Sequence, residues 1–396
     1  MFNLSDPSRL ITPWRAVAAS FALNGFLLGT WAARVPAVME RHGLSEGALG
    51  LQLLLMGLGA LISFPVAGRQ ADRLGAVRVT RWLVAAYLAV LVLVGLAPGP
   101  VTLGAALFFF GMCHGAMDVT MNAWASEVEK HLGRPVMSSI HAMWSFGAGA
   151  GLGFVVTGAQ MGVPAHFALA AALATVIFVP FLTLRWSSEL RPGAAGDPVF
   201  ALPRGPLILV GIIAMSAGLG EGAMADWSAV FLRDVMGTSD AQAALGYAVF
   251  SVAMVAMRLC ADRLVDRFGA LAVARTSGLV AAVGIFCVTG LSSLGFALAG
   301  FALMGLGYAA LVPLAFSRAA RDPHVPPGQG IAAVATLGYG AMLMGPPAIG
   351  QIAELASLRL AFVLLGGFAL AIAVLAPVLA RRPAADAAAK GDAPAC

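Results

Sequence analysis

Three observations predict an all-α membrane protein of twelve transmembrane helices in two pseudo-symmetric six-helix halves. Of 396 residues, 60% are hydrophobic and only 11% charged, whereas a soluble domain carries roughly 25% charged residues. Unbroken apolar runs recur twelve times, at 13–35, 47–67, 82–97, 101–125, 138–160, 165–184, 206–231, 243–261, 271–290, 293–316, 330–354 and 358–380. Features of the first half also return in the second at a near-constant offset. So few charges exclude a cytosolic enzyme, a disordered chain and a nucleic-acid binder.

Each run is close to the ~20 residues that a helix needs to cross hydrocarbon. The runs are continuous rather than alternating, which excludes a barrel of ~10-residue strands. The first is too long for the core of a leader peptide, so an uncleaved helix is expected. The second ends at a basic loop, Gly68 to Gly75, and the third is closed tightly against the fourth by Pro98-Gly99-Pro100. The fourth carries His114, Asp118 and Asn122; the fifth is spaced by Gly147, Gly149, Gly151 and Gly153. The sixth ends the first half, 1–185. A link, 186–205, holds Pro192, Gly193, Gly196 and Pro198 and leads into the second half, 206–380. There the seventh run holds Glu221 and Asp226, and the eighth and ninth flank a second basic loop. The tenth holds Tyr308, and the eleventh holds Tyr339 and a kink at Gly345-Pro346-Pro347. After the twelfth, the Ala/Pro-rich tail 381–396 is expected to be disordered.

The basic residues fall on alternate ends of these runs. Twenty Lys and Arg, Arg258 among them, lie on one side, and only Arg34, Arg41, Arg233 and Arg359 on the other. The rule that positive loops stay inside puts both termini and the link in the cytoplasm of an inner membrane. It also explains the net charge of +5 as topology. Cys113, Cys260, Cys287 and Cys396 show no CxxC spacing, so neither a disulfide nor a zinc site is expected. With no HExxH and no strand–loop–helix phosphate motif, no metal or other cofactor is expected. A membrane enzyme would need a clustered catalytic set and a sensor an output domain; neither can be found.

The internal repeat is specific. Trp31 and Gly50 recur as Trp227 and Gly246, both at an offset of 196. GRQADRLG (68–75) recurs as DRLVDRFG (262–269), and Gly111 as Gly305, both at 194. Parallel six-helix repeats imply a twofold axis along the membrane normal, with a midplane cavity between halves that rock against each other. That arrangement suits a carrier.

On Gly68, Asp72, Arg73, Gly75 and Arg78, the loop after the second run resembles the signature of the major facilitator superfamily. Residues 262–269 form a weaker second copy, and the resemblance spans about residues 13–380. It implies that family's fold, alternating access, monomeric function and a gate at Asp72 and Arg73. The run 114–151 is similar to YbjJ-like bacterial inner-membrane proteins, which are distantly similar to fucose/galactose–proton symporters. Asp118 and Asn122 match an acid (Glu in those symporters) and an Asn four residues on. The symporters' first-helix acid is replaced by Asn24. The mid-helix Arg of many exporters and the Gly-Pro signature of drug antiporters are missing from helices four and five.

Ionisable groups inside a bilayer are expensive and mark function. His114, Asp118 and Asn122 drift only about 40° per step, so they share one helix face. Asp118, His114 and Glu221 are the proton-coupling candidates. Asn24, Asn122, His141, Tyr308 (the repeat partner of His114) and Tyr339 are the solute-binding candidates. For each the alternative is plain helix packing or interhelical hydrogen bonding. Asp226 lies about 140° round the helix from Glu221; beside Trp227 it can pair with Arg34 as an outer gate. The function expected is proton-coupled secondary transport of a small polar, sugar-like solute. Export of hydrophobic or amphipathic compounds is the alternative.

Overall fold

A computed structural model describes residues 11–44, 46–154, 161–190 and 203–380. The tail 381–396 lies outside the described residues, as does the expected link over 191–202. Every regular element described is helical. The first half contributes α1 (Pro13–His42), α2 (Glu46–Leu74), α3 (Ala76–Leu96), α4 (Pro100–Leu132), α5 (Met137–Gly153) and α6 (Val163–Phe178). The second opens with α7 (Pro206–Val230). Asp240–Gly290 then runs on as one hydrogen-bonded helix, but its backbone leaves helical geometry at Gly269, φ 82°. Its two arms, 240–268 and 270–290, are α8 and α9. The next span, α10 (Leu294–Ala320), is made of Leu294–Tyr308 and Leu311–Ala320, and is followed by α11 (Pro327–Leu355) and α12 (Leu358–Leu375).

Among the described residues, ten helices are long and apolar enough to cross a membrane. The twelve runs expected differ from ten for two reasons. The eighth and ninth are counted as one 46-residue helix, Leu245–Gly290, and α5 has only 17 residues before its helix stops at Gly153. Other helices outlast their apolar runs. The third was expected to begin at 82 but starts at Ala76, and α4 continues to Leu132. Charged residues at these ends extend the helix beyond the hydrocarbon and do not stop it.

Local chemistry sets several boundaries. The Thr12 hydroxyl accepts from the Arg15 amide at 3.3 Å, and Pro13 fits the first turn, where no N–H is needed. Ser239 with Gln242 and Ser357 cap α8 and α12 in the same way. The turns between α2 and α3 and between α8 and α9 are made by Gly75 (φ 92°) and Gly269 (φ 82°). Both sit in the region that L side chains disfavour. They are repeat equivalents at the 194 offset.

The packing repeats as well. In the first half α1 packs on α5, α2 on α4 and α3 on α6; in the second, α7 packs on α11, α8 on α10 and α9 on α12. A Cβ at Gly111 would lie 1.8 Å from the Met56 carbonyl, and one at Gly305 would lie 2.3 Å from the Phe250 carbonyl. These contacts are also 194 apart on both helices. Small residues are needed here because close backbone approach replaces the hydrophobic drive that lipid removes. Across the halves, α2 meets α11 and α5 meets α8. Leu51, Leu93, Phe109, Val176, Val252, Phe286 and Val374 are exposed around the outside, where an apolar solvent takes the place of a protein core.

Gly111→Ala should lower the melting temperature in detergent micelles, through overpacking that costs about 1–3 kcal/mol. Gly149→Ala, whose Cβ meets nothing within 4 Å, should leave melting unchanged or raise it. Equal melting of the two variants would contradict this packing.

Candidate functional site

The halves are joined at two levels. The outer level lies at the Arg-rich ends of the helices. Asp72, at the end of α2, accepts from the backbone amides of Gly328 and Gln329 at 2.8 and 3.0 Å, at the N-terminus of α11. Asp262, on α8, accepts from Ser138 and Ser139 at 2.9 and 2.8 Å, at the N-terminus of α5. Each carboxylate therefore satisfies unpaired first-turn amides of a helix in the other half and meets the positive end of its dipole. Buried Glu129 adds a third tie. Its carboxylate accepts from Val136 and Met137 amides at 3.0 and 3.2 Å, from Ser317 Oγ at 2.6 Å and from Arg321. A groove of about 1050 Å³ opens beside these ties, lined by Glu129, Asp262 and Arg321. None of Asp118, Glu221 or Arg258 lines it.

The sequence marks Asp72, and the structure places it in this tie. Arg73 is exposed in the last turn of α2, beside the negative end of that helix. Asp262 was noted only as the start of the second loop copy. The repeat aligns Asp266, not Asp262, with Asp72. The carboxylate in use sits one helical turn earlier, where it meets the first turn of α5.

The inner level lies in the membrane. Asp118 is buried, and Asn122 Nδ2 donates to its carbonyl at 2.8 Å and to Oδ1 at 3.3 Å. The Tyr339 hydroxyl of α11 interacts with its carboxylate from the other half. Yet Asp118 Oδ2 and Asn122 Oδ1 are buried without a partner at hydrogen-bond distance. The Tyr339 ring also packs against Phe64, tilted by 56° with centroids 5.1 Å apart. Beside it, Arg258 of α8 donates to Ser145 Oγ of α5 at 2.9 Å, to the Ala309 carbonyl at 3.4 Å and to Glu221 Oε2 at 3.5 Å. Tyr308 is fully buried against Gly220, and its hydroxyl has no partner.

Arg258 is a correction. The charge count assigned it to the basic loops, but it is buried within α8 as the counter-ion of Glu221. A signal was present, because position 258 lies inside the apolar run 243–261 and aligns with Phe64 at the 194 offset. Both members of this repeat pair reach across the halves, Phe64 to Tyr339 and Arg258 to Ser145.

The other candidates are placed differently. Asn24 is fully buried, accepting from Trp144 Nε1 at 2.9 Å and donating to the His114 carbonyl at 3.3 Å. It pins α1, α4 and α5 together. The His114 ring turns to α3, with Nδ1 3.1 Å from the Tyr87 hydroxyl. It makes no hydrogen bond with Asp118 despite the shared helix face. His141 bonds the Met137 carbonyl at 2.9 Å and packs on Phe21 and Phe316. The pair expected between Arg34 and Asp226 is not formed. Arg34 Nη2 donates to the Met161 carbonyl at 2.9 Å, within its own half, and Asp226 is exposed.

With this fold, repeat and pair of helix-end ties, the sequence profile of the Major Facilitator Superfamily matches residues 16–339 and again 210–395. The chain belongs to the Major Facilitator Superfamily. It is 56% identical over 373 residues to an uncharacterized transporter, y4wD, of Sinorhizobium fredii (strain NBRC 101917 / NGR234), covering 94% of this chain and 99% of that protein. It is 37% identical to an uncharacterized MFS-type transporter of Yersinia pestis, covering 87% of this chain and 89% of the relative. Among solved structures, the transporter FucP in the outward conformation superposes with a TM-score of 0.75 at 15% identity, covering 94% of this chain and 99% of that one. At that identity the likeness is one of fold. A member of this family is a membrane-spanning transporter.

If the two aspartate ties hold one side shut, replacing both Asp72 and Asp262 with Ala should open it. Ala332, 3% exposed at the α2–α11 contact, is a suitable reporter. In a cysteine-free background, Ala332→Cys should react several-fold faster with an impermeant maleimide in the double variant. Unchanged labelling would show that the ties do not hold the gate.

Proposed function

We propose that this chain is a proton-coupled secondary transporter of a small polar solute, working by alternating access across the bacterial inner membrane. The basic side is cytoplasmic. The observation that carries this reading is the mid-membrane cluster at the junction of the halves. Asp118 holds a buried carboxylate there, with the Tyr339 hydroxyl of the opposite half against it and Asn122 Nδ2 3.3 Å from Oδ1. A buried carboxylate with no cation against it needs a reason, and a proton that neutralises it supplies one. The carboxylate can stay neutral inside the membrane when loaded and become charged when a water-filled cavity reaches it.

Alternating access gives that proton a direction. Asp72, Asp262 and Glu129 tie the cytoplasmic ends of the halves, which corresponds to a state closed on that side. Rocking breaks these ties and brings the cluster within reach of the cytoplasm. The polar groups that converge there, Asp118, Asn122, Glu221, Arg258, Tyr308 and Tyr339, favour a polar cargo over a lipophilic one. The similarity of 114–151 to YbjJ-like proteins, and through them to fucose/galactose–proton symporters, supports the same reading.

Proteoliposomes loaded with a pH dye provide the test. Outside addition of the right member of a panel of monosaccharides, polyols and sugar acids should acidify the interior. In Asp118→Asn that signal should fall to background while the melting temperature is kept, because the cycle can no longer bind and release its proton. Full proton entry in Asp118→Asn would remove Asp118 from coupling. Signals from lipophilic cations and drugs alone would favour the exporter.

A further inference from the structure

The pairing of Arg258 is poor for a buried guanidinium. Its side chain is 7% exposed, yet it has no bidentate carboxylate. Its one contact with Glu221 is 3.5 Å long, and its bond to the Ala309 carbonyl is 3.4 Å. Only the bond to Ser145, at 2.9 Å, is of ordinary length. Around it, Glu221 Oε1 and the Tyr308 hydroxyl are both buried and unpartnered. Glu221 itself keeps 22% of its side chain exposed, although Gly220 and Gly222 on either side are buried. Its carboxylate faces Arg258 and lies near Tyr339. An underused cation and two unpaired buried polar atoms therefore meet at one point.

A planar carboxylate fits the guanidinium fork better than any neutral group, because it accepts two parallel N–H bonds and brings the missing charge. We propose that Arg258 is an anion-binding residue of the solute site and that the transported solute carries a carboxylate. This rests on the polar-solute reading above and narrows it to acidic solutes such as sugar acids or hydroxy acids. As the solute carboxylate arrives on Arg258, Glu221 gives up its place and takes a proton. The guanidinium thus keeps one counter-anion throughout, and the solute's negative charge crosses with a proton taken up from water by Glu221, in addition to the one that Asp118 carries. Tyr308 donates its free hydroxyl to the solute. The other titratable groups facing this point are Asp118 from α4, His141 from α5 and Tyr339 from α11.

The experiment is a thermal-shift and binding titration on the purified full-length protein with matched pairs. Galacturonate is set against galactose, gluconate against sorbitol, and lactate against 1,2-propanediol, each at pH 6 and pH 8. At least one acid is expected to bind while its neutral partner does not, more tightly at pH 6, where Glu221 more readily yields its place. Arg258→Gln should weaken that acid by roughly tenfold or more, as expected for loss of a charge-assisted bidentate pair. Because Arg258→Gln can also harm folding, Glu221→Gln is the second variant. It keeps Arg258 and removes the competing charge, so it should bind the acid at least as well as the wild type, with a flatter pH dependence. Failure of every acid to bind overturns the anion site whatever else binds. A neutral sugar or polyol hit in that case leaves the polar-solute reading standing, and hits among lipophilic compounds alone sink both.

Discussion

A charged or hydrogen-bonding group inside a bilayer has no water to turn to. Its partner must be another part of the protein, a bound solute or a proton. Most of this molecule follows from that constraint. It makes every described element a helix, since helices satisfy their own backbone. It explains why Asn24 is spent on holding three helices together and why Arg41 and Arg359 donate to the carbonyls of Gly95 and Thr289 at the ends of α3 and α9. Among the buried polar atoms left without a partner are carboxylate oxygens of Asp118 and Glu221 and the Tyr308 hydroxyl, for which we propose partners that arrive with the transport cycle.

The two levels of contact between the halves use different chemistry. At the basic ends, Asp72 and Asp262 each bind the amide groups of a helix start. In the proposed cycle these bonds hold a gate and are reversible, because water can take over both sides when it opens. In the middle, Arg258 reaches across to Ser145 and Tyr339 to Asp118. In the proposed cycle, a proton or solute arriving at the middle alters the balance that the outer ties hold. The repeat supplies the frame for both levels. Its two copies diverge where function needs asymmetry, with Phe64 opposite Arg258 and Gly25 opposite Glu221 at the repeat offsets.

Legibility differed between fold and site. The apolar runs, the basic bias and the repeat led to the helices and to the equivalent glycines 75 and 269, because these depend on composition and local conformation. Asp118 and Glu221 were visible as charges in apolar runs. His114 shared the helix face of Asp118, but its ring was claimed by Tyr87, a neighbour that helical spacing cannot reveal. Arg258 was misplaced because it lies three residues from the end of its run, where a loop residue and a buried one look alike. The expected pairing of Arg34 with Asp226 assumed that matching ends of helices one and seven meet, whereas Arg34 is held inside its own half.

By itself, then, the sequence determined the solvent, the helices, the duplication and the short list of costly polar residues. Each of these is fixed by a residue's own transfer free energy or by neighbours within a turn or two. Tertiary structure alone decided which of those residues face each other: Asp262 and not Asp266 on α5, Tyr339 on Asp118, and Arg258 between Glu221 and Ser145. Those pairings join positions more than a hundred residues apart in several cases, and they depend on the rotation and depth of each helix in the bundle. Rotation and depth are set by packing at glycines such as 111 and 305, where the backbone of one helix meets the backbone of another.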